Sequence, residues 1–388
     1  MAARVSGSIG GAGEVRVHRA SMSNAPEGAN VFGPEAQRVR GQNGDWGFPV
    51  AVPRMVYKRG MLSRRACMAG LSAGMVGAQG PVLGQGEYRY RVVPGWGGLD
   101  EKTPVKNCHG LVLDAEGHII LLTDHVANNV IVYDKRGRLV SKWSTAFPGA
   151  HGLSIVREGG REVLFLTDLV THKVVKTTLD GTVLAEWGWP ALAGQYKQDA
   201  EYKPSWTLHL ADGGFFVLDG YGKDYILRYD AAGKLTRVLG GAEGGIVHWG
   251  PHGGLLDRGT MLIAMSDQQY LLRLSLDGEK MAQVDLPGGN PRQIRLYKDK
   301  YFVAHLADNW PKDRNSRGFV SVLDSELRVI SNVAGSAPEY GDDGKLRAMR
   351  HVEEVFLHPH DLVVDEDGSL YVAQFASGGT YPIKLERV

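Results

Sequence analysis

The sequence predicts an all-β fold: a six-bladed β-propeller with four-stranded blades around a central channel. Three observations predict it. A phrase of a His or small polar residue, a short apolar strand, an Asp/Gly turn and a second apolar strand recurs along the chain. It is clearest from His360 through Leu362–Val364, the turn Asp365–Gly368 and Leu370–Ala373. The Asp residues that end the second strands, Asp124, Asp168, Asp219 and Asp267, recur at roughly 45 to 50 residues, the range of propeller blades. No segment keeps a helical apolar period, and 52 Gly supply frequent turns.

In chain order, residues 1–60 are rich in Gly, Ala, Ser, Asn and Pro and read as a disordered or mis-assigned extension, with Met55 or Met61 as alternative starts. Residues 61–80 read as a twin-arginine-type signal: Arg64 and Arg65, a Gly/Ala-rich run from Met68 to Val76, then a small-residue cleavage site at Ala78. That run is too short to span a bilayer, so the mature chain is expected to be periplasmic or extracellular, with no integral membrane segment. The propeller is expected over residues 87–388. Tyr88–Val93 and Tyr381–Val388 both alternate as strands and are expected to complete one blade together, which removes free sheet edges. The remaining copies begin at His109, His151, Trp206, His252 and Arg292. Each is followed by a hairpin such as Val130–Trp143, Val174–Trp187, Ile226–Val238, Leu271–Val284 or Phe319–Ile330. Three longer connections, 188–203, 305–318 and 333–355, are expected to shape a site over the scaffold. A formal net charge of +1 argues against nucleic-acid or anionic-membrane partners. Two Cys residues build no disulfide framework. A monomer acting on a small molecule or peptide is the expectation.

The first strand of every blade lines the axis of a propeller, so equivalent positions converge there. The convergent set is His109, His151, Trp206, His252, Arg292 and His360. Four His at one repeat position, in a chain with 13, form a metal-binding pattern, and three imidazoles with an open position suit catalytic zinc. His125, His172, His248, His305 and His358 read as surface or loop residues.

His151-Gly152-Leu153-Ser154, Asp219-Gly220-Tyr221-Gly222, Pro251-His252 and Pro359-His360-Asp361 together resemble peptidyl-α-hydroxyglycine α-amidating lyase, an NHL-repeat propeller, over most of residues 90–375. The resemblance implies zinc on His151, His252 and His360, with His109 as an added candidate. It implies a structural calcium at Asp361 and Tyr221 as the base at the hydroxyl carbon. Two family arginines are missing: Asp124 stands at one position and the run Asp267-Gln268-Gln269-Tyr270 at the other. Asp124, Gln268 and Trp206 are therefore expected to face substrate, and Arg292 or Arg295 to supply a displaced cation. Two readings follow: a metal-dependent lyase acting on a carbinolamide or related substrate, or a non-catalytic propeller that binds a peptide, glycan or protein around a structural metal. A sugar-lactone-hydrolase-like propeller ranks lower, because those bind their cation through acidic residues and Asn.

Overall fold

In a computed structural model, residues 80–144, 147–241 and 248–388 are described. The N-terminal extension and the twin-arginine-type segment, residues 1–79, lie outside the described residues. The chain enters with β1 (Leu83–Gln85) and β2 (Tyr88–Val93). Blade one holds β3 (Cys108–Leu113), β4 (Ile119–Thr123), β5 (Val130–Tyr133) and β6 (Leu139–Trp143). Blade two holds β7 (Ala150–Glu158), β8 (Arg161–Asp168), β9 (Lys173–Thr178) and β10 (Val183–Trp187). Blade three holds β11 (Trp206–His209), β12 (Phe215–Leu218), β13 (Tyr225–Tyr229) and β14 (Leu235–Gly240). Blade four holds β15 (Pro251–Asp257), β16 (Thr260–Met265), β17 (Tyr270–Ser275) and β18 (Lys280–Asp285). Blade five holds β19 (Pro291–Tyr297), β20 (Lys300–His305), β21 (Phe319–Leu323) and β22 (Val329–Val333). Blade six holds β23 (Pro359–Val364), β24 (Leu370–Gln374) and β25 (Ile383–Arg387), completed by β2 and β1.

All sheets are antiparallel, and five have four strands while blade six has five. The sixth blade is shared between the chain ends as expected, with β25 paired to both β24 and β2. The propeller starts at Leu83 rather than residue 87, because β1 folds back on β2 through Leu83↔Tyr90. Each first strand packs on the next, and β23 closes on β3. The core is divided into six apolar clusters, each lying between two neighbouring blades, so every blade is buried on both faces by its neighbours.

The outer hairpins interlock by a repeated device. Trp143 and Trp187 end the outer strands of blades one and two, and Trp96 lies just beyond β2 of blade six. Each donates its indole N–H to a carbonyl in the turn of the following blade: Lys135 (3.0 Å), Leu179 (2.9 Å) and Gly233 (3.0 Å). Each indole rests on the turn glycine, Gly137, Gly181 or Gly233, all with positive φ. A Cβ there would meet indole atoms at 3.1, 2.6 and 2.5 Å, so these turns need glycine for conformation and for contact.

Candidate metal centre

The first strands explain why their side chains converge. In β3, β15, β19 and β23 one residue is left out of register with the second strand: His109, His252, Arg292 and His360. In β7 the extra residue falls at His151-Gly152. A β-bulge adds a residue to one strand and re-aims its side chain. Blade three has no such shift; Trp206 pairs in register with Leu218. Its place in the ring is taken by Ser205, one residue earlier. Trp206 packs in the core with Leu208 and Phe216, the Arg295 guanidinium 5.1 Å above its ring.

The glycines after three of the histidines let the blades approach. A Cβ on Gly110 would stand 2.6 Å from Leu153 Cβ, on Gly152 2.5 Å from the Ser205 carbonyl, and on Gly253 2.4 Å from the Arg292 carbonyl. Those carbonyls have a further use. His151 Nδ1 donates to Ser205 O (2.9 Å), His252 Nδ1 to Arg292 O (2.9 Å) and His360 Nδ1 to His109 O (2.8 Å). Even blades thus donate to odd blades, three times round the ring. A donating Nδ1–H leaves Nε2 with its lone pair, the form a metal requires.

The three rings stand 4.7 to 4.9 Å apart, almost an equilateral triangle. His109 adjoins His151 at 4.9 Å and His360 at 4.8 Å. The four are 1 to 6% exposed, and burial holds all of them neutral, His109 at about 3. His151 Nε2 and His109 Nδ1 are buried without a partner, which costs about 1–3 kcal/mol each unless something binds them. The donor set fits a divalent transition metal. By ring nitrogens the tightest trio is His109, His151 and His360, within 4.8 Å of one another. His252 belongs to the ring by position, but its Nε2 accepts from the Tyr221 hydroxyl at 3.0 Å.

Tyr221 is placed by its tetrapeptide. The Asp219 carboxylate accepts from Lys203 N (2.7 Å), Lys223 N (2.7 Å) and the Tyr196 hydroxyl (2.8 Å). A Cβ on Gly222 would sit 2.0 Å from Asp219 Oδ1, and one on Gly220 2.1 Å from the Pro251 carbonyl. Tyr196 and Lys203 belong to the 188–203 connection, so that loop does shape the site. Arg292 Nη1 lies 3.3 Å from Tyr221 Oη and Nη2 lies 3.7 Å from Asp267. Burial pushes the Tyr221 hydroxyl up, and Arg292 opposes that. The ring itself is 36% exposed, so the residue bridges the buried His layer and solvent.

Other expectations change. Asp361 is fully buried and accepts from Leu111 N (2.8 Å), Leu362 N (2.7 Å) and both Arg295 Nε (2.9 Å) and Nη2 (2.5 Å). Asp361, expected to hold calcium, is charge-paired with the Arg295 guanidinium. Arg295 also donates to the carbonyls of Leu111 and Leu362, tying blade five to blades one and six. Removing one partner of such a pair costs about 3–5 kcal/mol. Asp124 gives its oxygens to Asn107 N (2.8 Å) and Nδ2 (2.9 Å), with Lys106 at 3.3 Å, and so braces the loop entering β3. Gln268 turns to the His248 carbonyl (3.0 Å), and its neighbour Asp267 faces Arg292 instead. His305 and His358 are buried rather than on the surface, hydrogen-bonded to Ser321 Oγ (2.9 Å) and Phe375 O (3.1 Å). Sequence reasoning missed Asp267, Ser205 and Phe375. Phe375 follows β24 and its ring lies 5.4 Å from His109 and 6.1 Å from His360. Trp310, from the 305–318 connection, sits 6.4 Å from Phe375.

No protein-family model and no curated protein matches the chain. Among solved structures, it is similar to a streptogramin B lyase (14% identity, 73% of this chain and 94% of that one, TM-score 0.50). It is also similar to a catalytically inactive virginiamycin B lyase from Staphylococcus aureus with quinupristin (11%, 78% and 100%, TM-score 0.51). A third is a protein of unknown function from Bacteroides thetaiotaomicron (13%, 73% and 70%, TM-score 0.52). At these identities the likeness shows the propeller fold alone, and the narrower resemblance to the amidating lyase is not carried by it. Among the described residues no helix is long and apolar enough to cross a membrane.

Proposed function

We propose that the propeller is a metal-dependent lyase that cleaves the C–N bond of a small carbinolamide-type substrate. The observation that carries this reading is the placement of Arg292 Nη1 3.3 Å from the Tyr221 hydroxyl, which also meets Nε2 of His252 (3.0 Å), one of the three imidazoles with fixed Nδ1–H bonds; an ion bound there would take that Nε2 in place of the hydroxyl. Arg292 comes from blade five and supplies the cation lost at Asp124 and Gln268. His151, His252 and His360 would hold the ion. Bound there, a divalent metal, zinc in this reading, polarises the substrate oxygen and adds positive charge that favours the phenolate of Tyr221.

The chain's own residues do the rest. Tyr221, as the phenolate that Arg292 stabilises, takes the proton from the substrate hydroxyl and is left as the neutral phenol, which can return that proton to the leaving amide nitrogen. As the O–H bond breaks, the carbon–oxygen double bond forms and the C–N bond breaks, with the leaving amide nitrogen taking up a proton. Phe375, 5.4 Å from the His109 ring, with Trp310 6.4 Å from Phe375, gives that side of the site an aromatic wall.

The test is glyoxylate release from α-hydroxyhippurate by the purified, metal-loaded chain. Tyr221→Phe and Arg292→Ala are each expected to lower the rate by about 100-fold or more with unchanged circular dichroism. A folded, metal-loaded chain that releases no glyoxylate would replace the lyase by the non-catalytic binding propeller.

A further inference from the structure

Five of the six pairs among the four ring histidines are in ring contact, at nearly one separation. These are His109–His151 (4.9 Å), His109–His360 (4.8 Å), His151–His252 (4.9 Å), His151–His360 (4.7 Å) and His252–His360 (4.8 Å). Among the described ring contacts the sixth pair, His109 and His252, is missing. The four therefore form two triangles that share the His151–His360 edge. Four ligands at the corners of a tetrahedron would make all six separations equal. Four in a square would make two of them long. Five near-equal ring separations without a sixth contact are the pattern that imidazoles at four corners of an octahedron, with the two remaining corners adjacent, would show.

We propose that the ring is a four-histidine site for a six-coordinate first-row divalent ion, iron(II) foremost, with His109 as the fourth ligand and two adjacent positions open. This rests on the reading of the ring as a metal centre and changes its ligand count and its ion. His109 is 6% exposed and its Nδ1 has no partner, leaving a buried ring nitrogen free to bind an ion beside its neighbours. His151 Nε2 is orphaned in the same way. The donors are neutral imidazoles, which suit iron and disfavour the oxygen-seeking calcium and magnesium. Zinc prefers four ligands in a tetrahedron, and copper(II) prefers them in a plane. Cys108 does not join, because its thiol turns to the Thr380 carbonyl at 3.5 Å.

The experiment is titration of the purified, metal-free chain with cobalt(II), read by absorption, beside anaerobic titration with iron(II) and titration with zinc(II). The expected result is one equivalent bound with the weak absorption of six-coordinate cobalt. His109→Ala should lower affinity by about ten-fold or more and shift the spectrum toward the intense bands of lower coordination. His109→Gln serves if the Ala variant does not fold, and His125→Ala should change neither readout. An intense tetrahedral spectrum in the unaltered chain, with equal affinity in the His109 variants, would remove His109 and leave the three-histidine centre standing. A folded chain that binds none of the three ions would overturn the metal centre itself.

Discussion

Asp219 touches no ring histidine, yet it fixes where Tyr221 stands. Its carboxylate is buried and accepts three hydrogen bonds, and burial pushes its pKa up to about 7. An unfolded Asp titrates near 4. Between those values the folded chain binds more protons than the unfolded one, so stability falls as pH rises from about 4 to 7. Asp219→Asn is expected to remove that slope, worth a few kcal/mol, and urea midpoints compared across that window would reveal it. Equal slopes in both proteins would show that Asp219 carries no such proton. Single residues were legible in the sequence where the repeat phase is regular: His109, His151, His252 and His360 all sit where it puts them. The phase slips by one at Trp206, because blade three lacks the bulge that the other first strands carry. The partner of Asp361 was not legible, because Arg295 lies 66 residues away and meets it only where blade five packs on blade six.

The hairpin turn is the element that joins one blade to the next. Asp at its start accepts two turn amides, as Asp134 does from Arg136 and Arg138, at 2.9 Å each. Gly near its end takes positive φ beneath the preceding blade's indole. Gly181→Ala is expected to cost about 2 kcal/mol or more, from αL strain together with a Cβ at 2.6 Å from Trp143. Gly160, with φ 83° and nothing within 4 Å, separates the two causes. Gly160→Ala should cost only the strain, and equal losses in thermal midpoint would show that the indole contact contributes nothing. The sequence marks these turns by Asp and Gly. It does not mark their pairing with Trp96, Trp143 and Trp187, because that contact joins different repeats.

The ring as a whole closes through its last strand. Leu385 is fully buried between its cross-strand partners Val92 and Leu370, and β25 is hydrogen-bonded on both sides. Deleting residues 383–388 would leave two strand edges open and uncover that cluster. The expected outcome is a large drop in thermal midpoint and self-association in sedimentation, and an unchanged monomeric melt would show that closure is not required. This closure was readable, because both termini alternate as strands. The alternation of donors round the axis was not, because His109, Ser205 and Arg292 share no chemistry in their side chains. What they share is a main-chain oxygen, aimed at the neighbouring imidazole. No side-chain replacement takes that oxygen away. Evolution or an engineer can therefore exchange the odd members of the ring, for charge or for an added ligand, while the even members keep their aim.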